Sequence, residues 1–386
     1  MRLRLSDENA AFRDQLREFF NTRVPDEIRR TVAAQGHLSR DQLVASQQVL
    51  NAAGLAVPHW PVEWGGRDWT ELQRQIWHEE LTRAYVPPPL PFNANMVGPV
   101  IATFGSQEQK ERFLPATANL DIWWSQGFSE PDAGSDLASL RTTAVRDGDE
   151  WVVNGQKTWT TLGQYGEWIF CLVRTDPDAP KKQMGISFLL VDMTTPGLEV
   201  RPIQLIDGGY EVNEVWFTDV RVPAGNLVGE RGHGWDYAKF LLGNERVGVA
   251  PVGATKRVLT DAKGWAASVG LLTDPLVAAR FVELENELLA LELTALRVAA
   301  NSADGKADPA SSVLKLRGTQ LQQEVSELAM DLAGPAAAAS FAGDGSTAPG
   351  WARAATPVYL NLRKASIYSG SNEIQRQIIA RTILGL

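Results

Sequence analysis

The sequence predicts an α+β protein in three parts, helical at both ends and β-rich in the middle, and three observations carry that prediction. Residues 7–53 place apolar side chains such as Phe12, Leu16, Phe19 and Phe20 at helical spacing. Between about 121 and 230, short β-branched and aromatic runs alternate with turn residues. Beyond 230 the helical period returns in long runs, with Leu284, Leu288, Leu291, Ala295 and Val298 on one stripe. The expected domains are 1–120, helical; 121–230, a β-sandwich or barrel; and 231–386, a helical bundle.

Taken in order, Asp7 is a candidate cap for the first helix, and Leu43, Val44, Gln47 and Leu50 mark another. The stretch Gly54–Gly66 breaks the pattern with two prolines and a Gly pair, and reads either as a substrate-facing loop or as a packed structural one. Helix resumes over Thr70–Ala84, stops before Pro87–Pro89, and returns over Asn95–Phe104 and Gln107–Phe113. Strands are expected at 122–128, 142–145, 150–153, 156–161, 167–174, 185–192, 198–202 and 214–222. Asp147-Gly148 and Asn154-Gly155 are both two-residue hairpin signals. On the strand after the second, alternation sets Trp159 opposite Thr158 and Thr160. Later helices are expected at 235–260, 276–300, 311–332 and 357–384, with the Ala/Gly/Ser-rich piece 336–350 a loose loop.

Composition narrows the function. At 386 residues and 44% apolar content, the chain can bury a large core. A net charge of −9 argues against nucleic acid or an anionic membrane surface as the main partner, so phosphate-bearing partners need local basic pockets. The lone Cys171 lies in the apolar run Trp168–Val173 and reads as core packing. The N-terminal residues lack the apolar stretch of a signal peptide and no run approaches a membrane span, so a cytoplasmic protein is expected. His37, His59, His78 and His233 lack metal-ligand spacing, and no metal is expected. There is no Gly-x-Gly-x-x-Gly after a strand, so any dinucleotide binds without a Rossmann fingerprint.

Two segments stand apart. Ser125–Ser139 reads Ser-Gln-Gly-Phe-Ser-Glu-Pro-Asp-Ala-Gly-Ser-Asp-Leu-Ala-Ser, and Gly155–Thr161 reads Gly-Gln-Lys-Thr-Trp-Thr-Thr. Ser129, Gly134, Ser135 and Asp136 crowd a proline turn, where N–H groups and hydroxyls can converge on a phosphate or a polar ring edge. With Asn244-Glu-Arg246 and Ser369-Gly-Ser-Asn-Glu-Ile-Gln-Arg376, these segments resemble the acyl-CoA dehydrogenases over nearly the whole chain. The resemblance implies that family's fold: a helical N-terminal domain, a β domain and a C-terminal four-helix bundle. It implies FAD as cofactor and oxidation of an acyl-CoA thioester to the trans-2-enoyl-CoA. It assigns Gln126, Phe128 and Ser129 to the flavin ring edge, Trp159 and Thr161 to its other side, Ser135 to pyrophosphate or CoA, and Ser371 and Glu373 to the adenine side. Ser371 as a simple helix cap is the competing reading. Asp132 stands where the family usually has Gly, and Leu162-Gly163 replaces its Asn-Gly.

The reaction needs a carboxylate base of raised pKa, which burial among apolar side chains provides. Most relatives carry that Glu near the C-terminus, where this chain has Ser369. Others supply it from an earlier helix directly before an Arg, and the matching residue is Glu245. Leu241, Leu242, Glu245 and Val249 share helical spacing, consistent with a carboxylate on an apolar face; the alternative is an interhelix ion pair. Arg246 matches a residue that meets CoA or the base, or else forms an ion pair.

Homotetrameric relatives carry Arg-x-x-Phe-Gly and Gln-x-x-Gly-Gly motifs that reach a neighbour's FAD, where this chain reads Ala267–Pro275 and Asp331–Ala336 without the cationic and amide groups. The pattern resembles heterotetramers (α2β2) acting on steroid-derived CoA thioesters, in which a homologous subunit supplies the missing half. A non-catalytic assembly subunit, and a flavin oxidase or monooxygenase on the same fold, are the rival readings. Electron-transfer flavoprotein is the acceptor the resemblance implies.

Overall fold

The computed structural model describes residues 5–249, 252–301, 309–341 and 349–386; the side chains of 243–249, 299–301 and 339–341 lie outside the described residues. Helices α1 (Asp7–Arg23), α2 (Asp26–Ala33), α3 (Arg40–Ala52) and α4 (Glu71–Arg83) open the chain. Ser6, not Asp7, caps α1 by accepting the Asn9 N–H, because its side-chain oxygen stands just before the first helical residue. Thr70 and Gln73 close a reciprocal capping box on α4. A π-helical turn, Phe92–Val97, leads into α5 (Gly98–Phe104), and Ser106 and Gln109 box the start of α6 (Gln107–Asn119).

Seven strands follow: β1 (Trp124–Gly127), β2 (Thr143–Asp147), β3 (Glu150–Thr161), β4 (Trp168–Arg174), β5 (Ile186–Asp192), β6 (Leu198–Ile203) and β7 (Val212–Pro223). They make one sheet in the order β1-β4-β2-β3-β7-β6, with β5 paired to β4. The helices α7 (Gly234–Val249), α8 (Val252–Ser268), α9 (Pro275–Asn301), α10 (Ser311–Ala333), α11 (Gly350–Asn361) and α12 (Asn372–Ile379) complete the chain.

Several expectations are corrected. Only Asp147-Gly148 is a hairpin turn, joining β2 to β3 with Gly148 at φ 56°. Asn154-Gly155 is instead a bulge inside the continuous β3, where the register with β7 shifts. The Asn154 amide exchanges two hydrogen bonds with Asp219, and Gly155 presses so close to Thr142 that a Cβ would come within 2.5 Å of its hydroxyl. The expected helix 357–384 is broken at Ser369 and Gly370, both left-handed, at φ 54° and 85°. Residues 334–341 are 3-10 helical, and Ala337 packs against Ala352 and Ala355; 342–348 lie outside the described residues. The first half of the 54–66 stretch is packed, with Leu55, Ala56, Val57 and Trp60 buried and the Trp60 indole donating to the Ala94 carbonyl at 2.7 Å, while Pro61, Val62 and Glu63 are exposed.

The chain forms two compact units. One holds Arg40–Asp68 and Pro89–Glu245. Its core lies on the sheet, with Val153, Ile169, Cys171, Val191, Val215 and Val220 fully buried, so Cys171 is the packing residue its apolar run implied. Burial pushes its thiol up to about 12. The other unit holds Met1–Ser39, Trp69–Pro88 and Arg246–Leu386. The α9 residues Leu284, Leu288 and Leu291 meet Leu259 of α8 and Leu321 and Val325 of α10, and each such burial contributes roughly 1.5–3 kcal/mol. The α4 end is tied by a bidentate Arg17–Glu80 pair at 2.8 Å and by the Tyr85 hydroxyl, which donates to Asp261 at 3.0 Å.

Candidate active site

The 125–139 segment leaves the sheet at the end of β1 and turns tightly at Pro131-Asp132, where Glu130 and Ala133 exchange two backbone hydrogen bonds. It is stitched back to β3 by the Thr158 N–H, which donates to the Ser129 carbonyl at 2.9 Å. Gln126, Phe128, Ser129, Trp159 and Thr161 are thereby brought to one end of the sheet. Phe128 is buried edge-on against Phe170 and Phe188, which stack 5.8 Å apart. Ser129, Gln126 and Thr161 are half-buried, and Ser135 stands exposed farther along the loop.

Trp159 is the strained residue of this cradle. It is 58% exposed and left-handed at φ 61°, at a second β3–β7 irregularity between Lys157 and Thr160. Thr158 and Thr160 are buried, so Trp159 does face away from them. The pleat alone does not explain it: alternation would set Lys157 beside Trp159, yet Lys157 is 0% exposed. The left-handed residue turns the indole outward. Such strain on a bulky residue costs of order 1–3 kcal/mol and clusters at functional sites. An amide, hydroxyls and the exposed Trp159 face at one rim, with Phe128 buried behind them, fit a flat heteroaromatic ring with a polar edge, as an isoalloxazine is.

Glu130 and Lys157, to which the resemblance assigns no role, lie at the centre of the cradle. Lys157 Nζ donates to Glu130 Oε1 at 2.7 Å and to the Phe128 carbonyl at 3.1 Å. The Glu130 carboxylate also accepts the Arg141 N–H at 2.6 Å and the Thr142 N–H at 2.9 Å. Burial pushes the Glu130 carboxyl up, but Lys157 and those N–H donors outweigh it and hold the group below the usual carboxylate range. Burial lowers Lys157 more than Glu130 raises it. The available signal was a lysine inside an otherwise buried strand, which needs an acidic partner.

The two departures in these motifs have different weights. Asp132 is exposed and 3.7 Å from the equally exposed Arg141, a pair worth little. Leu162 is left-handed at φ 53°, a conformation Asn tolerates better than Leu. Beside the loop, an open cleft of about 440 Å³ is lined by Ser139, Arg141, Arg174 and Lys182. Arg174 is engaged there, donating to the carbonyls of Ala138, Leu140 and Lys182. Arg141 and Lys182 supply the cleft's accessible charge.

Glu245 and Arg246 lie on α7, one turn beyond the buried Leu241, and their side chains are outside the described residues. Ser371 and Glu373 belong to the other compact unit. Ser371 is the N-cap of α12, accepting the Ile374 N–H at 3.4 Å, and Glu373 is exposed in the first turn. The preceding turn holds Ser369, whose carbonyl and that of Gly370 accept from the Gln375 amide at 3.4 and 3.2 Å. Beneath it, the 0%-exposed Lys315 donates to Ala365 O at 3.2 Å and Asn372 Oδ1 at 3.4 Å. Asp331 is paired with Arg280 at 2.8 Å within its own helical bundle, and Ser268 ends α8.

Comparison with known proteins defines the class. The models of the acyl-CoA dehydrogenase N-terminal, middle and C-terminal domains match residues 6–121, 125–220 and 232–384. The chain belongs to the acyl-CoA dehydrogenase family, has its three-part fold, and is an oxidoreductase of that class. It is 38% identical to the acyl-CoA dehydrogenase IpdE1 of Mycolicibacterium smegmatis over 91% of this chain and 90% of that one. It is 33% identical to the acyl-CoA dehydrogenase FadE26 of Mycobacterium tuberculosis, over 100% and 99%. Among solved structures it superposes on the Tcur3481-Tcur3483 steroid ACAD with a TM-score of 0.88 at 30% identity, covering 100% and 99% of the two chains. On the ChsE4-ChsE5 complex from Mycobacterium tuberculosis the TM-score is 0.84 at 34% identity, with the same coverage. Among the described residues no helix is long and apolar enough to cross a membrane.

Proposed function

We propose that this chain is the FAD-binding, catalytic subunit of a heteromeric acyl-CoA dehydrogenase that converts a bulky, steroid side-chain-like acyl-CoA to its trans-2-enoyl-CoA. The observation that carries the reading is the bulged β3, which offers Trp159 outward beside Thr161 and the Gln126–Ser129 edge. When bound, FAD supplies the acceptor for the β-hydride. Glu245 takes the α-proton, and Arg246 with Ser135 orients the CoA portion. Arg141 and Lys182 hold CoA phosphates at their cleft, the local basic pocket an acidic chain needs. Ser371 and Glu373 meet the adenine side, with the Ser371 hydroxyl shared with its capping bond.

Residues 1–120, 121–230 and 231–386 serve as the three domains of this division of labour. That two of the structural relatives are themselves named as pairs of chains, one of them a steroid ACAD, supports pairing with a homologous subunit in an α2β2 assembly. The departures at Ala267–Pro275 and Asp331–Ala336 favour the same partner. Electron-transfer flavoprotein is the proposed acceptor and the cytoplasm the proposed compartment. The test is anaerobic addition of a steroid side-chain acyl-CoA to the chain expressed alone and with a homologous chain. Bleaching of flavin absorbance only in the pair supports the proposal. A lone chain that forms a competent tetramer removes the heteromer. A pair whose flavin belongs only to the partner makes this chain the assembly subunit, and fast reoxidation by air with peroxide points to an oxidase.

A further inference from the structure

Among the described ion pairs of the sheet unit, the most completely buried is also the one that joins both motif segments. Lys157 is 0% exposed and Glu130 7%, in direct contact at 2.7 Å. A buried ion pair is a weak source of net stability, since apolar residues of the same volume often serve as well. Its geometry here is specific. The Lys157 ammonium holds the Phe128 carbonyl from inside the sheet, the next residue's N–H holds the Ser129 carbonyl, and the residue after that is Trp159. On the other side, the Glu130 carboxylate holds the N–H groups of Arg141 and Thr142, where the loop re-enters the sheet at β2. Pinning Lys157 inward and Thr158 to the loop leaves the chain to turn at Trp159, which it does at φ 61°.

We propose that Glu130 and Lys157 are positioning residues for the flavin ring: their ion pair locks the 128–130 loop edge and the Trp159 bulge into one rigid frame. Neither side chain touches the ring. Both act through the Phe128–Ser129 backbone and through the direction of the indole. The inference rests on the flavin reading above. A frame held to within a fraction of an ångström is what a binding constellation needs from its supporting residues.

The test compares Glu130→Gln, Lys157→Met and the double variant, each in the assembly of the full chain that binds FAD. Thermal stability of the flavin-free protein, the Kd for FAD and the visible circular dichroism of the bound flavin are measured. Each single variant should lose stability, because it strands a buried charge or its donors. The double variant should regain wild-type stability, yet keep a Kd about tenfold weaker or more and an altered flavin dichroism. A double variant with wild-type Kd and dichroism shows the pair to be structural only and overturns the proposal. One less stable than either single variant makes the pair a folding element and overturns it as well. Wild-type protein that takes up no FAD removes the flavin reading itself, whereas normal wild-type binding with an unaltered double variant removes only the frame.

Discussion

Among the described residues two lysines are wholly buried, Lys157 in the sheet unit and Lys315 in the helical unit, and each lies beneath a turn with a left-handed residue. The sheet-unit turn is gripped by a charge, since Lys157 meets the Glu130 carboxylate at 2.7 Å. In the helical-unit turn Lys315 donates to the Ala365 carbonyl and to the Asn372 amide oxygen, which also accepts from Thr319 at 3.2 Å, while the Lys315 charge is felt at the exposed Glu373 carboxylate. The first turn presents Trp159 outward. The second keeps half-buried Ser369, which the resemblance matches to the C-terminal base of most relatives. The difference lies in what holds each turn, a direct carboxylate–ammonium pair in the first and carbonyl and amide acceptors with a more distant, exposed carboxylate in the second.

The largest expected effect on that comparison is at the charged frame. Lys157→Met should cost about 3–5 kcal/mol in chemical denaturation, because it leaves the Glu130 carboxylate buried and unpaired. Asn372→Ala should cost about 1–3 kcal/mol, the loss of one buried acceptor shared by two donors. An equal cost at the two sites would dissolve the distinction. Smaller still, Trp159→Gly and Ser369→Gly should each raise flavin-free stability by about 1 kcal/mol, since Gly adopts positive φ freely. Only Trp159→Gly should weaken FAD binding, read as flavin retained after dialysis.

The two units should also separate on acidification. Burial holds the His78 imidazole below its ordinary 6.5, so its contribution is whole above that pH and is lost as pH falls through and below it. The Glu130 carboxyl lies below its ordinary 4.5, so its contribution is kept to lower pH and lost as that group protonates. Amide exchange should therefore loosen α4 before β3 as pH falls, and His78→Phe should flatten the earlier loss. Simultaneous loosening, or an unchanged slope in the variant, contradicts this order.

Much of the architecture was legible because its signals are local and periodic. The α9 stripe lines the helical core, and Asp147-Gly148 makes its turn. Asn154-Gly155 misled because the same dipeptide serves a bulge when a long partner strand, here β7, pairs with both sides of it. The break at Ser369-Gly370 falls in the polar gap between Tyr368 and Ile374, where the Ser371 cap reading conflicts with one continuous helix and Gly370 announces positive φ. At the candidate site, the motif residues were visible but the Glu130–Lys157 pair was not. Residues 27 positions apart show their contact only once β3 and the loop are folded together. Glu245 rests on its motif alone, as its side chain lies outside the described residues.

The central claim, that the base has moved from the C-terminal turn to α7, is tested most directly by Glu245→Gln. The variant should keep its FAD and its assembly, and flavin reduction by acyl-CoA should slow by about 10³-fold, within the range a general base contributes. Reduction at the wild-type rate with full flavin content would contradict the account and return the search for the base to another carboxylate.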